Sequence, residues 1–147
     1  MTQKKWIITG AAGFIGYRFY QAVKAKGIPV LLVDHLGHFQ SRTAEHPLPD
    51  ASLLMDRAEF IKKIGSMNPA EIGAIIHMGA CSATTELRVD FLREVNVEYS
   101  QTIWNYCSKH KIPFVYASSA ATYGAGENGY ADDESLTSEL KPLNPYG

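Results

Sequence analysis

Three stretches of this sequence place chemically capable groups at spacings that secondary structure can use. The first is Gly10-Ala-Ala-Gly13-Phe-Ile-Gly16, between an apolar run and a helical pattern. Gly10 permits a sharp turn, Gly13 lets backbone approach a bound group, and Gly16 lets the following helix pack closely on the sheet. A helix that starts there offers unpaired N–H groups and a partial positive charge, which suit the pyrophosphate of a dinucleotide. The spacing is GxxGxxG rather than GxGxxG. The strand before it, the helix after it and a later acid raise it above a plain strand–helix turn. That acid is Asp34, at the end of the apolar run Val30–Val33. Its carboxylate would accept hydrogen bonds from adenosine ribose hydroxyls, which favours NAD. Arg42 and Arg57 would offset its charge against the 2′-phosphate of NADP, although each also reads as a solvated surface charge. The third stretch, Phe114-Val-Tyr-Ala-Ser-Ser-Ala-Ala-Thr-Tyr-Gly124, runs from apolar residues into small hydroxyls. Ligands of open α/β sheets bind beyond the carboxyl ends of strands, so a hydroxyl there is placed to touch one.

These groups converge only if the intervening elements bring them to one edge. The 147 residues are one domain's worth and long enough to bury a core. Short apolar runs alternate with helical patterns, which implies a parallel sheet. Strands are expected at Lys5–Thr9, Val30–Val33, Ser52–Met55, Ala74–Met78 and Phe114–Ala117. Helices are expected at Phe14–Lys26, with Ile15, Phe19, Ala22 and Val23 on one face, and at Arg57–Ser66, with Phe60, Ile61 and Ile64. A long helix is expected from about Glu86 to His110, bearing Leu87, Phe91, Val95, Tyr99, Ile103 and Tyr106. Gly27 and Pro29 end the first helix. Residues 36–49 and the chain after Ser118 read as loops. Right-handed crossovers then give a Rossmann-like, doubly wound α/β sheet in the order 3-2-1-4-5.

Composition narrows the partners. Hydrophobic residues make up 46% and charged residues 20%, the balance of a globular domain. The net charge of −1 gives no basic excess for a nucleic-acid backbone. No apolar run approaches the roughly 20 residues of a membrane span. The N-terminus has no uninterrupted apolar stretch of signal-peptide length, and only two cysteines occur, Cys81 and Cys107, so a reducing cytoplasm is the expected compartment. His35, His38 and His46 fit no zinc spacing and read as solvated loop histidines, so no metal is expected. His77 reads as a packed or hydrogen-bonded core residue, Cys81 as a small cofactor-lining residue, and Tyr123 as packing beneath its loop. Glu127, Asp132, Asp133 and Glu134 read as a solvated acidic loop. Thr84, Thr85 and Glu86 read as the cap of the long helix.

Three segments carry a resemblance: Gly79-Ala-Cys-Ser-Ala-Thr-Thr-Glu86, Tyr116-Ala-Ser-Ser-Ala-Ala-Thr-Tyr-Gly124 and Lys141-Pro-Leu-Asn-Pro-Tyr-Gly147. With the glycine turn they resemble the extended short-chain dehydrogenase/reductase superfamily. Within it they resemble the family of ADP-L-glycero-D-manno-heptose 6-epimerases, over Trp6 to Gly147. The resemblance implies that Gly10, Gly13, Phe14, Ile15 and Gly16 hold the pyrophosphate, and that Asp34 and His35 lie at the adenosine ribose. It implies that Met78, Gly79, Ala80, Cys81 and Ser82 line the cofactor, NADP or NAD. Asn96 reads either as a cofactor-side residue that orients the site through a buried side chain or as a plain helix-surface amide. It further implies Ser119 as the catalytic serine and Tyr146 as the catalytic tyrosine of a YxxxK motif. The family has Asn where His35 stands and Asn-Asn where Val95-Asn96 stands. Its basic residue after the second strand has no clear match beyond Ser41 or Arg42.

The implied reaction inverts C6″ of the heptose of an ADP-sugar by transient oxidation and reduction with bound NAD(P). Ser119 would hold the reacting oxygen, and Tyr146 would be the acid/base. A phenol ordinarily ionises near pH 10, so such a tyrosine needs a cation beside it. The motif's lysine falls at position 150, past Gly147. The resemblance therefore implies that residues 1–147 are an incomplete NAD(P)-binding domain, without the later strands and the substrate domain, which binds cofactor but does not epimerise alone. It implies a homo-oligomeric parent enzyme. The alternatives are another nucleotide-sugar epimerase or dehydratase, or a non-catalytic NAD(P)-binding module.

Overall fold

Apolar runs too short for helices, each closed by a turn residue, become strands, which are buried on both faces at the centre of the sheet and leave Val115 and Tyr116 exposed at its edge. In a computed structural model, which describes residues 3–42 and 46–147, five such strands form one parallel sheet. They are β1 (Lys5–Thr9), β2 (Val30–Asp34), β3 (Leu54–Asp56), β4 (Ile72–His77) and β5 (Phe114–Tyr116). Their order is β3-β2-β1-β4-β5, as the alternation of patterns requires. Central β1 pairs Ile7 with Leu31 on one side and with Ile75 on the other. Successive strand residues face opposite sides. Ile7, Val33 and Ile75 enter one core, with Phe60, Ile103 and Cys107. Ile8, Leu32 and Ile76 enter the other, with Tyr17, Tyr20 and Phe39.

The helices cover these two faces. α1 (Phe14–Ala25) buries Gly16, Tyr17, Tyr20 and Val23. The expected face through Ile15 and Ala22 is wrong: both are exposed, because the aromatic pair Tyr17–Tyr20 seats the helix one position further round. α2 (Leu36–Ser41) forms in the stretch expected to be loop, and Phe39 anchors it in the core. Residues 43–45 of that stretch lie outside the described residues. α3 (Arg57–Lys63) starts at an Asp56 side-chain cap and carries Phe60, with Ile64 following in a 3₁₀ turn.

The long helix begins at Val89 rather than near Glu86. It runs as α4 (Val89–Leu92), a π-helical segment Arg93–Glu98 and α5 (Tyr99–His110). Thr84, Thr85 and Glu86 precede it and do not cap it; the Glu86 carboxylate instead binds Arg88, which holds its pKa down to about 2. After β5 the chain continues in loops and two 3₁₀ turns, Ala120–Tyr123 and Glu134–Glu139. Among the described residues no helix is long and apolar enough to cross a membrane.

Phe60 is fully buried between β2 and α5 and belongs to the core that the sheet and α3 share. Phe60→Ala is expected to cost about 3–5 kcal/mol of stability, read from the urea midpoint at unchanged slope.

Candidate active site

The turn after β1 is shaped by what cannot fit there. Gly10 has φ +68, and a Cβ on it would lie 2.7 Å from the Gly79 nitrogen. Only glycine lets the β1–α1 turn lie against the exit of β4. A Cβ on Gly16 would lie 2.2 Å from the Gly10 carbonyl oxygen, so α1 begins directly beneath the turn. Gly13 is the residue before α1 and gives it no side-chain cap. The first N–H groups of a helix have no partner within it, so those of α1 are available to an anion. Phe14 and Ile15 turn their side chains to solvent. This bare helix start is the cradle that a pyrophosphate requires, and the residues present fit the dinucleotide the glycine motif implies.

Asp34 ends β2, the neighbouring strand. Its Oδ2 accepts from Ala12 N at 3.0 Å, and its Oδ1 accepts from His35 N at 2.8 Å. His38 Nδ1 lies 2.9 Å from the same Oδ1. His38 is therefore not a merely solvated loop histidine: α2 carries its ring back onto the strand end. His46 is not solvated either, since its ring stacks on Tyr17 at 4.2 Å.

Behind the turn runs a buried polar line. Thr9 Oγ1 and His77 Nδ1 are 2.6 Å apart, and His77 Nε2 is 2.8 Å from Ser100 Oγ. Ser100 donates its hydroxyl to the Asn96 carbonyl, and Gly79 N donates to Thr9 Oγ1. Ser100 has given its proton to Asn96, so its Oγ accepts from His77 Nε2–H. In the neutral ring Nδ1 is then bare and accepts from the Thr9 hydroxyl. Burial pushes the His77 pKa down to about 4, in keeping with the neutral form. Asn96, in the π-helical segment, completes the line. Its side chain accepts from Cys81 N at 2.8 Å and donates to Cys81 O at 3.0 Å. One amide thus satisfies both backbone groups of the residue at the middle of the 79–82 loop.

These elements enclose a cleft of about 730 Å³ at the carboxyl edge of the sheet. Gly10, Gly13, Phe14, Ile15, Gly16, Asp34, His35 and the whole of Met78–Ser82 line it. Asn96 does not; it supports the lining from behind. The cleft also takes His38, Arg42, Arg57, Phe91, Val95, Tyr99 and Ala117. Apart from the two arginines, sequence reasoning passed these over as site residues. Tyr99 donates to the Arg57 carbonyl at 3.2 Å, and burial raises its pKa, so it stays a protonated donor.

Ser119 and Tyr146 lie outside the lining, beyond β5 on the same edge as Ala117. Ser119 Oγ accepts from Ala121 N at 3.2 Å, which fixes the side chain at the start of a 3₁₀ turn. The segment carrying Tyr146 folds onto that turn: a Cβ on Gly147 would lie 2.6 Å from the Ala121 oxygen, and one on Gly124 would meet the Lys141 carbonyl. Tyr123 packs against Tyr130 and donates to Ala131 O, as expected of a residue beneath the loop. Asp133 caps a 3₁₀ turn through Ser135 and is exposed.

Comparison with known proteins agrees with this geometry. The family model for the NAD dependent epimerase/dehydratase family matches residues 6–147. An ADP-L-glycero-D-manno-heptose-6-epimerase of Fusobacterium nucleatum is 42% identical over 96% of this chain and 43% of its own length. A Helicobacter pylori enzyme of the same name matches in structure with TM-score 0.74 at 22% identity, over 99% of this chain and 46% of that one. Thermus thermophilus UDP-glucose 4-epimerase, in complex with NAD, matches at TM-score 0.67 and 22% identity, over 97% of this chain and 46% of that one. The chain thus spans less than half the length of these relatives.

The tautomer of His77 carries a pH signature. Above pH 6.5 the folded and unfolded chains are both neutral at this site, and its full contribution is present. Between pH 6.5 and about 4 only the unfolded chain takes up the proton, so stability falls by up to roughly 3 kcal/mol. Urea unfolding at pH 7.5 and 4.5 should show this loss, and His77→Gln should remove most of it while lowering stability at pH 7.5. A stability difference of equal size in both chains would exclude His77 as its source.

Proposed function

This chain belongs to the NAD dependent epimerase/dehydratase family, and on that premise we propose that it is the dinucleotide-binding part of an ADP-L-glycero-D-manno-heptose 6-epimerase. The observation that carries the reading is the meeting, in one cleft, of the bare α1 start, Asp34 and the Asn96-clamped loop. The heptose substrate rests on the relatives, whose names state that activity. The two free thiols fit a reducing compartment, so we place the protein in the cytoplasm.

Bound NAD supplies the transient oxidation of the sugar carbinol; position and field come from the chain. The first N–H groups of α1 hold the pyrophosphate. Asp34 keeps an acceptor site for the adenosine ribose. The Met78–Ser82 backbone, fixed from behind by Asn96, forms the wall along which the dinucleotide lies. Ser119 already accepts from Ala121 N, so its hydroxyl proton is left to donate to the reacting oxygen. Tyr146 moves the proton on and off that oxygen.

Two measurements test this. In a fluorescence titration with NADH, the protein should bind saturably. Gly13→Asp places a carboxylate at the helix start, where it caps α1 but repels a pyrophosphate. It should retain the fold and lose at least about tenfold in affinity, whereas unchanged affinity would remove the pyrophosphate from this site. In a chain extended through the lysine of the YxxxK motif, inversion of ADP-heptose at C6″, followed by NMR, should fall by about 10²–10⁴-fold in Tyr146→Phe with NADH affinity unchanged. Full activity in that variant would exclude Tyr146 as the acid/base.

A further inference from the structure

The polar line behind the cleft closes on itself. Gly79 N donates to Thr9 Oγ1 at 3.2 Å, and Thr9 meets His77 Nδ1 at 2.6 Å. On the other side His77 Nε2 meets Ser100 Oγ at 2.8 Å, and Ser100 donates to the Asn96 carbonyl at 2.6 Å. The Asn96 amide then holds both backbone groups of Cys81. Gly79 and Cys81 are two residues apart, so the circuit grips one loop at two points, and its two arms meet at His77. The His77 ring is 1% exposed. The rings of Tyr99, Phe114 and Tyr116 stack against it at 5.9, 6.1 and 5.7 Å, which fixes the direction of both nitrogens. Thr9, Gly79 and Cys81 line the cleft, whereas His77 acts on it only through them.

Sheet order decides which part of a dinucleotide each group meets. β1 lies between β2 and β4, and β5 lies beyond β4. Asp34 ends β2, the bare α1 start follows β1, the gripped loop follows β4, and Ser119 follows β5. A dinucleotide with its adenosine at Asp34 and its pyrophosphate at α1 therefore lays its second ribose and nicotinamide over Met78–Ser82. Resting on the reading that this cleft binds such a dinucleotide, we propose that His77 is a positioning residue for the nicotinamide half. By closing the circuit it holds the backbone of Gly79 and Cys81 where that half lies. Asp34 and the first N–H groups of α1 stand outside the circuit, so the adenosine half does not depend on His77.

Two ligands separate this role from plain support of the fold. NADH covers the whole cleft, and ADP covers only its adenosine and pyrophosphate part. Both are titrated by calorimetry against the unmodified protein and a set of variants. His77→Phe keeps an aromatic ring and loses both arms. His77→Asn keeps an acceptor near the Nδ1 position for Thr9, and His77→Gln keeps a donor near the Nε2 position for Ser100. Ser100→Ala cuts one arm on a helix that accepts alanine, and gives the same readout should a ring replacement fail to fold. The Kd for NADH should rise about tenfold in His77→Phe and about threefold in each variant that loses one arm, the scale of buried hydrogen bonds. The Kd for ADP should stay within about twofold throughout. Equal rises for both ligands would make His77 a support of the fold alone, and unchanged NADH affinity would remove it from the site. Either result overturns this inference and leaves dinucleotide binding in place. Failure of the unmodified protein to bind NADH saturably would overturn the reading beneath it as well.

Discussion

The site depends on one close approach: the Gly10 backbone against the Met78–Gly79 peptide. A Cβ on Gly10 would lie 2.8 Å or less from three atoms of that peptide and residue. Because nothing intervenes, the exits of β1 and β4 form one continuous floor rather than two separate loops. The α1 start stands on one side of that floor and the 79–82 loop on the other. Any side chain at Gly10 would separate the two and widen the cleft, and its φ of +68 would strain most residues besides.

That approach leaves backbone polar groups half-buried, and the line from Thr9 to Asn96 satisfies them. Gly79 N has Thr9, Thr9 has His77, His77 has Ser100, and Cys81 has both ends of Asn96. An unpaired buried donor or acceptor costs about 1–3 kcal/mol, so a break anywhere in the line is felt at the loop. The π-helical segment places Asn96 at this point. By widening one turn of the helix it brings the amide to the height of Cys81 and still returns Tyr99, Ile103 and Cys107 to the core. π-bulges recur at functional sites.

The sheet was legible because its strands are unbroken apolar runs and its crossovers are helical, and these two facts fix the order of a doubly wound sheet. The glycine turn and Asp34 were legible for the same reason: their places at strand ends follow from the pattern. Local competition hid the rest. The stretch after Asp34 reads as loop by composition, yet Phe39 finds the core and draws α2 into shape, and His38 comes to the strand end with it. The buried face of α1 is not legible from Ile15 and Ala22 because Tyr17 and Tyr20, which bury more surface, set the rotation of the helix. Asn96 left two readings open, since its periodicity is that of a surface amide. Its role appears only where the π turn meets the 79–82 loop. The strand end marks a run of small hydroxyls, but only the resemblance singles out Ser119 within it, and only the resemblance marks Tyr146, which no strand or helix periodicity places.

The two ends of the cleft are built from different materials, and this sets what each can vary. At the pyrophosphate end the contacts are backbone N–H groups and absent side chains, so nearly every substitution there acts through sterics or charge on the fold's own geometry. At the ribose end the contacts are exposed side chains on a short helix and on a strand end, held to Asp34 by hydrogen bonds that solvent can replace. Changes at that end leave the sheet intact, because none of His35, His38, Arg42 or Arg57 belongs to either core. The α1 end of the cleft is therefore its rigid half. The Asp34 end is the half that sequence can retune at little cost to stability.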